Sequence, residues 1–176
     1  ENTLYFFTSG RYEYRNKGFD VTVEALARLN HRMRVENIDK TVVAFFVTRK
    51  PFRSIHPEIL SSMALLEELQ RACEGIKDQI GERLFLDVAK GKKPWLAELV
   101  DEYWWIRLRR GAHAWKSSRL PPIISHIPLD ESNDELLNQL RICKLHNHKD
   151  DPVKVVYHPD FISTTSPLFQ MEYDQF

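Results

Sequence analysis

Arg11 and Lys17 are the side chains in this sequence best suited to chemistry, and both belong to the stretch Ser9-Gly10-Arg11-Tyr12-Glu13-Tyr14-Arg15-Asn16-Lys17-Gly18. A guanidinium offers a planar fork to two oxygens of a phosphate, and an ammonium offers a compact point charge. Gly10 lets the backbone turn sharply between an apolar run and an amphipathic one. Neither G-x-G-x-x-G nor G-x-x-x-x-G-K-[ST] can be read here, so a phosphate would be met by a clamp of charges and not by a glycine cradle. The same residues also suit a merely solvated loop, because strand–loop–helix junctions are often charged for solubility.

Other candidates are weaker. His126 follows a short apolar run and could line a site beside Gly10, with a hydrogen-bonded structural histidine as the competing reading. His146 and His148 stand two apart in a polar stretch, and no Cys or carboxylate pattern completes a tetrahedral metal site, so no metal is expected. Asp130-Glu131 and Asp134-Glu135 precede an apolar helical pattern, where a cap and the helix dipole favour negative charge, so they read as structural. No Gly-x-Ser-x-Gly and no Cys-His or Ser-His arrangement argues for a hydrolase.

The elements that must position these residues follow from periodicity. Leu4 to Thr8 reads as a buried strand and Asp20 to Val35 as a helix capped by Asp20, with Val23, Leu26, Ala27, Asn30 and Met33 on one face. Thr41 to Val47 lacks polar alternation, as a parallel strand covered on both faces should. Together they make a βαβ unit, whose ligand belongs at the carboxyl ends of the strands. Arg49-Lys50-Pro51-Phe52 breaks the alternation. From Pro57 to about Ala89 one apolar seam runs through Ile59, Met63, Leu66, Leu69, Cys73, Ile76, Ile80 and Leu84, with a bend or break expected near Gly81.

Gly91-Lys92-Lys93-Pro94 stops that helix and starts a second, Trp95 to about Lys116. Its apolar groups lie on more than one side, with Trp104, Leu108 and Trp115 forming a face left over for another subunit; ordinary core packing of the tryptophans is the alternative. The pair reads as an antiparallel helical hairpin inserted into the α/β body. Ile123 to His126 reads as a short strand, a helix lies within Asp130 to Leu145 with Leu136, Leu137, Leu140 and Cys143 inward, and Val153 to Tyr157 is a further strand. The expected organisation is 1–52 and 119–176 as parts of an α/β domain, and 53–118 as an oligomerisation hairpin.

Composition is that of an ordinary globular chain: 43% of the 176 residues are hydrophobic and 28% charged, with formal net charge +0. That neutrality gives no reason to expect nucleic acid or a membrane surface as partner. Cys73 and Cys143 make no C-x-x-C pattern and suit a reducing, intracellular setting. No run approaches the roughly 20 apolar residues of a membrane span. The first residue is Glu1, which suggests a piece of a longer protein.

Four patches carry a resemblance. Thr3-Leu4-Tyr5-Phe6-Phe7 with Gly10 to Gly18 and Glu24 to Asn30, Lys40 to Phe46, Leu120-Pro121-Pro122-Ile123 with Ser125-His126, and Val153-Lys154-Val155 with His158-Pro159-Asp160-Phe161 and Ser166-Pro167-Leu168 resemble, in order and spacing, the eukaryotic-type glycogen synthases of glycosyltransferase family 3. The resemblance implies part of the donor-side domain of a retaining glucosyltransferase with two Rossmann-like domains (GT-B type), a partial doubly wound parallel sheet. It implies UDP-glucose as donor, the non-reducing end of an α-1,4-glucan (glycogen) as acceptor, no cofactor, and a cytoplasmic location. Arg11 and Lys17 match the family's basic pair that contacts the nucleotide phosphates. A helical insertion mediates tetramer formation in that family, which implies a homo-oligomer here. The acceptor-side domain and a glutamate-containing loop would lie outside these residues, so the chain alone is expected to be inactive. A stand-alone scaffold module and a regulatory α/β binding domain are the alternatives.

Overall fold

The computed structural model describes residues 2–95, 98–117 and 122–162. The expected tail beyond Ile162 and the helix-ending Pro121 lie outside the described residues. In chain order the elements are β1 (Thr3–Arg11), α1 (Phe19–Val35), β2 (Thr41–Arg49), β3 (Phe52–Ile55), α2 (Pro57–Ala89), α3 (Glu102–Ser117), β4 (His126–Pro128), α4 (Glu135–Ile142) and β5 (Val153–His158). The class is α/β. The chain divides into two compact units, Glu1–Pro57 with Leu120–Phe176, and Glu58–Arg119.

In the first unit a parallel sheet runs β1-β2-β5, with β2 in the middle. Alternate residues of the strands face one core: Val42, Ala44 and Phe46 stand in register with Val153, Val155 and Tyr157. Phe19, Val23, Leu26 and Met33 of α1 and Leu136, Leu137 and Leu140 of α4 close over that face in a single cluster. Both helices therefore cover the same side of the sheet, which corrects the reading of Leu4 to Thr8 as buried. β1 is an edge strand among the described residues, and Tyr5, Phe6 and Phe7 are 60%, 54% and 65% exposed. Across the uncovered face Phe7 stacks on Phe45 with centroids 4.6 Å apart. An unbroken apolar run signals burial only if something covers both faces, and here α1 and α4 cover one.

Helix α1 begins at Phe19, not at Asp20. Its cap is Gly18 in the left-handed region, φ 66°, where a side chain is strained, and no side chain caps the first turn. Asp20 instead accepts a hydrogen bond from the amide of Val21 at 2.9 Å. The break expected at Pro51-Phe52 is brief, because β3 pairs antiparallel with β4 in a separate two-stranded sheet. The strand expected over Ile123 to His126 is accordingly reduced to one parallel bridge, Ile124 to Tyr157, before the chain turns into β4. Asp134 caps α4, accepting from the Leu137 amide at 3.0 Å. Cys143 is the half-buried residue just past the helix end.

In the second unit α2 runs unbroken for 33 residues, about 50 Å at 1.5 Å per residue, so the break expected at Gly81 does not occur. The second helix starts at Glu102, later than Trp95, which lies outside it and is exposed. Trp104 of α3 packs on Gly75 of α2, and Leu69 of α2 packs on Gly111 of α3. A Cβ added at Gly75 would lie 2.4 Å from the Trp104 ring, and one at Gly111 2.6 Å from Leu69. Arg107 pairs with Glu68, and Arg83 with Asp101 at 2.5 Å. Among the described residues no helix is long and apolar enough to cross a membrane.

Candidate functional site

β1 and β2 are parallel, so their carboxyl ends lie together, and the register sets Arg11 beside Arg49. Partners on neighbouring strands stand about 4.8 Å apart with side chains on one face. The preceding pair is Gly10 and Thr48, and Thr48 is fully buried on the core side. The pleat therefore turns both guanidinium groups to the opposite face. Lys17 returns to the same strand tip: a Cβ at Gly10 would lie 3.6 Å from its Cε. Gly10 shares the core side with Thr48, so Lys17 lies on that side of the strand tip while Arg11 turns to the opposite one.

The loop between them is held by its own backbone. The Glu13 amide donates to the Arg11 carbonyl at 2.8 Å, the Lys17 amide to the Glu13 carbonyl at 2.9 Å, and the Gly18 amide to the Arg15 carbonyl at 3.0 Å. Both cations are exposed, and neither forms an ion pair among the described residues. Arg49 is also exposed, its guanidinium 5.9 Å from the Phe161 ring centroid. Three exposed cations at two strand ends, none in an ion pair among the described residues, make an edge suited to an anion.

Beneath that edge lies a buried carboxylate that the sequence marks only as a helix cap. Asp134 has no exposed surface and is met by four groups, three hydrogen-bond donors and one ammonium. They are the Leu137 amide at 3.0 Å, the Tyr12 hydroxyl at 3.1 Å, the Tyr157 hydroxyl at 2.9 Å and the Lys50 ammonium at 3.0 Å. The Tyr12 oxygen in turn accepts from the Leu136 amide at 3.1 Å, and the Lys50 ammonium sits 4.2 Å from the centroid of the Tyr12 ring. Burial, reinforced by the adjacent carboxylate, pushes both phenols well above their ordinary value, so they remain donors.

His126 is buried and borders a cavity of about 450 Å³ with His56, Glu131, Arg141 and His146. Its Nδ1 lies 2.9 Å from Ser125 Oγ, which is 2.8 Å from Nδ1 of His158. One serine oxygen cannot donate to both rings, so one imidazole donates to it. The two rings are 5.1 Å apart. Burial holds His126 below the usual histidine value, and burial with the neighbouring ring holds His158 down at about 4. Both imidazoles are therefore neutral at pH 7. His126 is a hydrogen-bonded histidine that also borders open space. Among the described residues no group of three His, Cys, Asp or Glu could hold a metal ion.

In α3, Trp104 is half-buried against Gly75, so its ring is engaged within the chain, while Trp115 is 46% exposed and Leu108 half-buried.

The glycogen synthase family model matches residues 1–176, the whole chain. The chain belongs to the glycogen synthase family. It is 42% identical over 180 residues to Neurospora crassa "Glycogen [starch] synthase" and 37% identical over 186 residues to Saccharomyces cerevisiae "Glycogen [starch] synthase isoform 1". It is 35% identical over 176 residues to the Homo sapiens liver enzyme, "Glycogen [starch] synthase, liver". Each comparison covers 100% of this chain but only 25–26% of the relative, so the chain spans about a quarter of the length of the curated relatives it matches.

Within this family member, sequence reasoning singled out Arg11 and Lys17 as candidates and read the acids before α4, Asp134 among them, as helix-start residues. It missed Tyr12, Arg49, Lys50, Ser125 and His158. Tyr12 and Arg49 could have been suspected from their places beside Arg11 and at the end of a strand. Nothing in spacing points from Lys50 or Tyr157 to a carboxylate so distant in the chain.

Proposed function

We propose that this chain is donor-side structure of a retaining glucosyltransferase, which in its full length moves glucose from UDP-glucose to the non-reducing end of an α-1,4-glucan. Arg11 and Lys17 take the diphosphate. Cleaving the bond to the sugar leaves charge on the diphosphate, and donors already aimed at it lower the barrier. The observation that carries this reading is the pair of exposed cations flanking the end of a parallel strand, with no acid paired to either among the described residues, in a chain of the glycogen synthase family.

In this reading, residues 1–52 and 119–176 belong to a partial doubly wound, Rossmann-like sheet of GT-B type, with Gly10 and His126 near the donor pocket. Residues 53–118 form an inserted antiparallel hairpin. The pairing of Glu68 with Arg107, Gly75 with Trp104 and Arg83 with Asp101, rising along α2 while falling along α3, supports that hairpin. Its outer face, with Leu108 and Trp115, joins a homo-oligomer, and Trp104 contributes by fixing α3 on α2. The protein works in the cytoplasm without a cofactor.

The test is turnover of UDP-glucose by the full-length protein. Arg11→Ala and Lys17→Ala should each lower kcat/KM by about 100-fold, the typical effect of removing one donor to a developing charge. Unchanged kcat/KM in both variants would overturn the donor-site reading. The isolated 176-residue chain should show no turnover.

A further inference from the structure

Capping α4 takes one acceptor, yet Asp134 accepts three hydrogen bonds and pairs with the Lys50 ammonium. The three partners beyond the helix come from the carboxyl ends of all three parallel strands. Tyr12 follows Arg11 at the end of β1, Lys50 follows Arg49 at the end of β2, and Tyr157 precedes the last residue of β5. A fully buried carboxylate held by one ammonium, two hydroxyls and an amide cannot rearrange without leaving a charge unpaired in the core. Each strand tip is thereby tied to the same fixed point. Two of these ties start one peptide unit from an exposed cation, Tyr12 beside Arg11 and Lys50 beside Arg49.

We infer that Asp134 is a positioning residue for the anion site, acting through the Tyr12 hydroxyl to hold Arg11 in its binding geometry, with Lys50 setting the second strand tip beside it. Asp134 itself does not reach the ligand. This inference rests on the donor-site reading of Arg11. An exposed arginine on a loose loop must be ordered when an anion binds, which weakens affinity. A tyrosine anchored to a buried acid removes that cost before the ligand arrives.

The experiment measures UDP affinity of the full-length protein by calorimetry, at a temperature where every variant is folded by circular dichroism. The variants are Tyr12→Phe, Asp134→Asn, Arg11→Ala and the double variant Arg11→Ala/Tyr12→Phe. Tyr12→Phe removes one hydroxyl and leaves the ring, so it carries the test should Asp134→Asn fail to fold. Tyr12→Phe should raise the Kd for UDP about 10-fold in the parent, and by less than about twofold where Arg11 is already alanine, the non-additivity of residues acting as one unit. Wild-type affinity in both Tyr12→Phe and Asp134→Asn would overturn the inference. The same loss from Tyr12→Phe in both backgrounds would overturn it too, since Tyr12 would then not act through Arg11. If Arg11→Ala itself leaves UDP affinity unchanged, the donor-site reading fails, and the inference falls with it.

Discussion

Acidification should weaken this fold through one histidine. His158 is 1% exposed, shares the Ser125 hydroxyl with His126, and is held down at about 4 by burial and by the ring 5.1 Å away. In the unfolded chain the same imidazole titrates near 6.5. Below that value the unfolded state binds a proton that the folded state refuses, so stability is complete above pH 6.5 and is lost as pH falls toward 4. Each unit of separation is worth about 1.36 kcal/mol, giving a loss of about 2 kcal/mol at pH 5 and roughly 3 kcal/mol across the whole window. The physical origin is simple. An imidazolium at His158 would be cut off from water in the core, and the His126 ring beside it adds to the penalty. Urea unfolding at pH 7.5 and pH 5, for the wild type and for His158→Gln, isolates the contribution, because every carboxylate titrates alike in both. The wild type should lose about 2 kcal/mol more than the variant. Parallel losses in the two proteins would refute the reasoning.

Three further outcomes follow from packing. Gly75→Ala would drive a methyl into the Trp104 ring, whereas Gly81 has open space where a Cβ would go; Gly75→Ala should destabilise by about 1–3 kcal/mol, and Gly81→Ala should stabilise by up to about 1 kcal/mol, read as opposite shifts in Tm. Thr48 is fully buried, and its hydroxyl has no hydrogen-bond partner among the described residues; Thr48→Val should raise stability by about 1 kcal/mol in urea unfolding. Trp115→Glu, on the exposed face of α3, should lower the sedimentation coefficient of the full-length protein, and an unchanged value would remove that face from the subunit interface.

Local signals were legible where local physics decides the outcome. The 3.6-residue seam from Ile59 to Leu84 is one helix, and Val23, Leu26, Asn30 and Met33 do fall on the buried face of α1. The acids before α4, Asp134 among them, were visible as helix-start residues for the same reason, since an acid before an apolar helical run has one obvious use. Partners distant in sequence were not legible. β3 and β4 lie some 70 residues apart, and each is too short to announce a strand alone. The burial of β1 was misread because its composition records a surface suited to being covered, while coverage depends on which side the helices cross. Arg11 and Lys17 stood out as candidates from residue type and spacing. The acid that anchors the loop between them was readable only as a cap, because three of its four partners arrive from other strands.

The bare side of the sheet has a practical consequence for anyone handling this segment alone. Tyr5, Phe7 and Phe45 form a ring-lined patch beside a strand whose outer backbone groups lack a ladder partner among the described residues. Such a border is a template on which a second molecule can lay down its own strand. Concentrated solutions of the excised piece should therefore turn turbid over time, and a lysine placed at Phe7 should keep them clear.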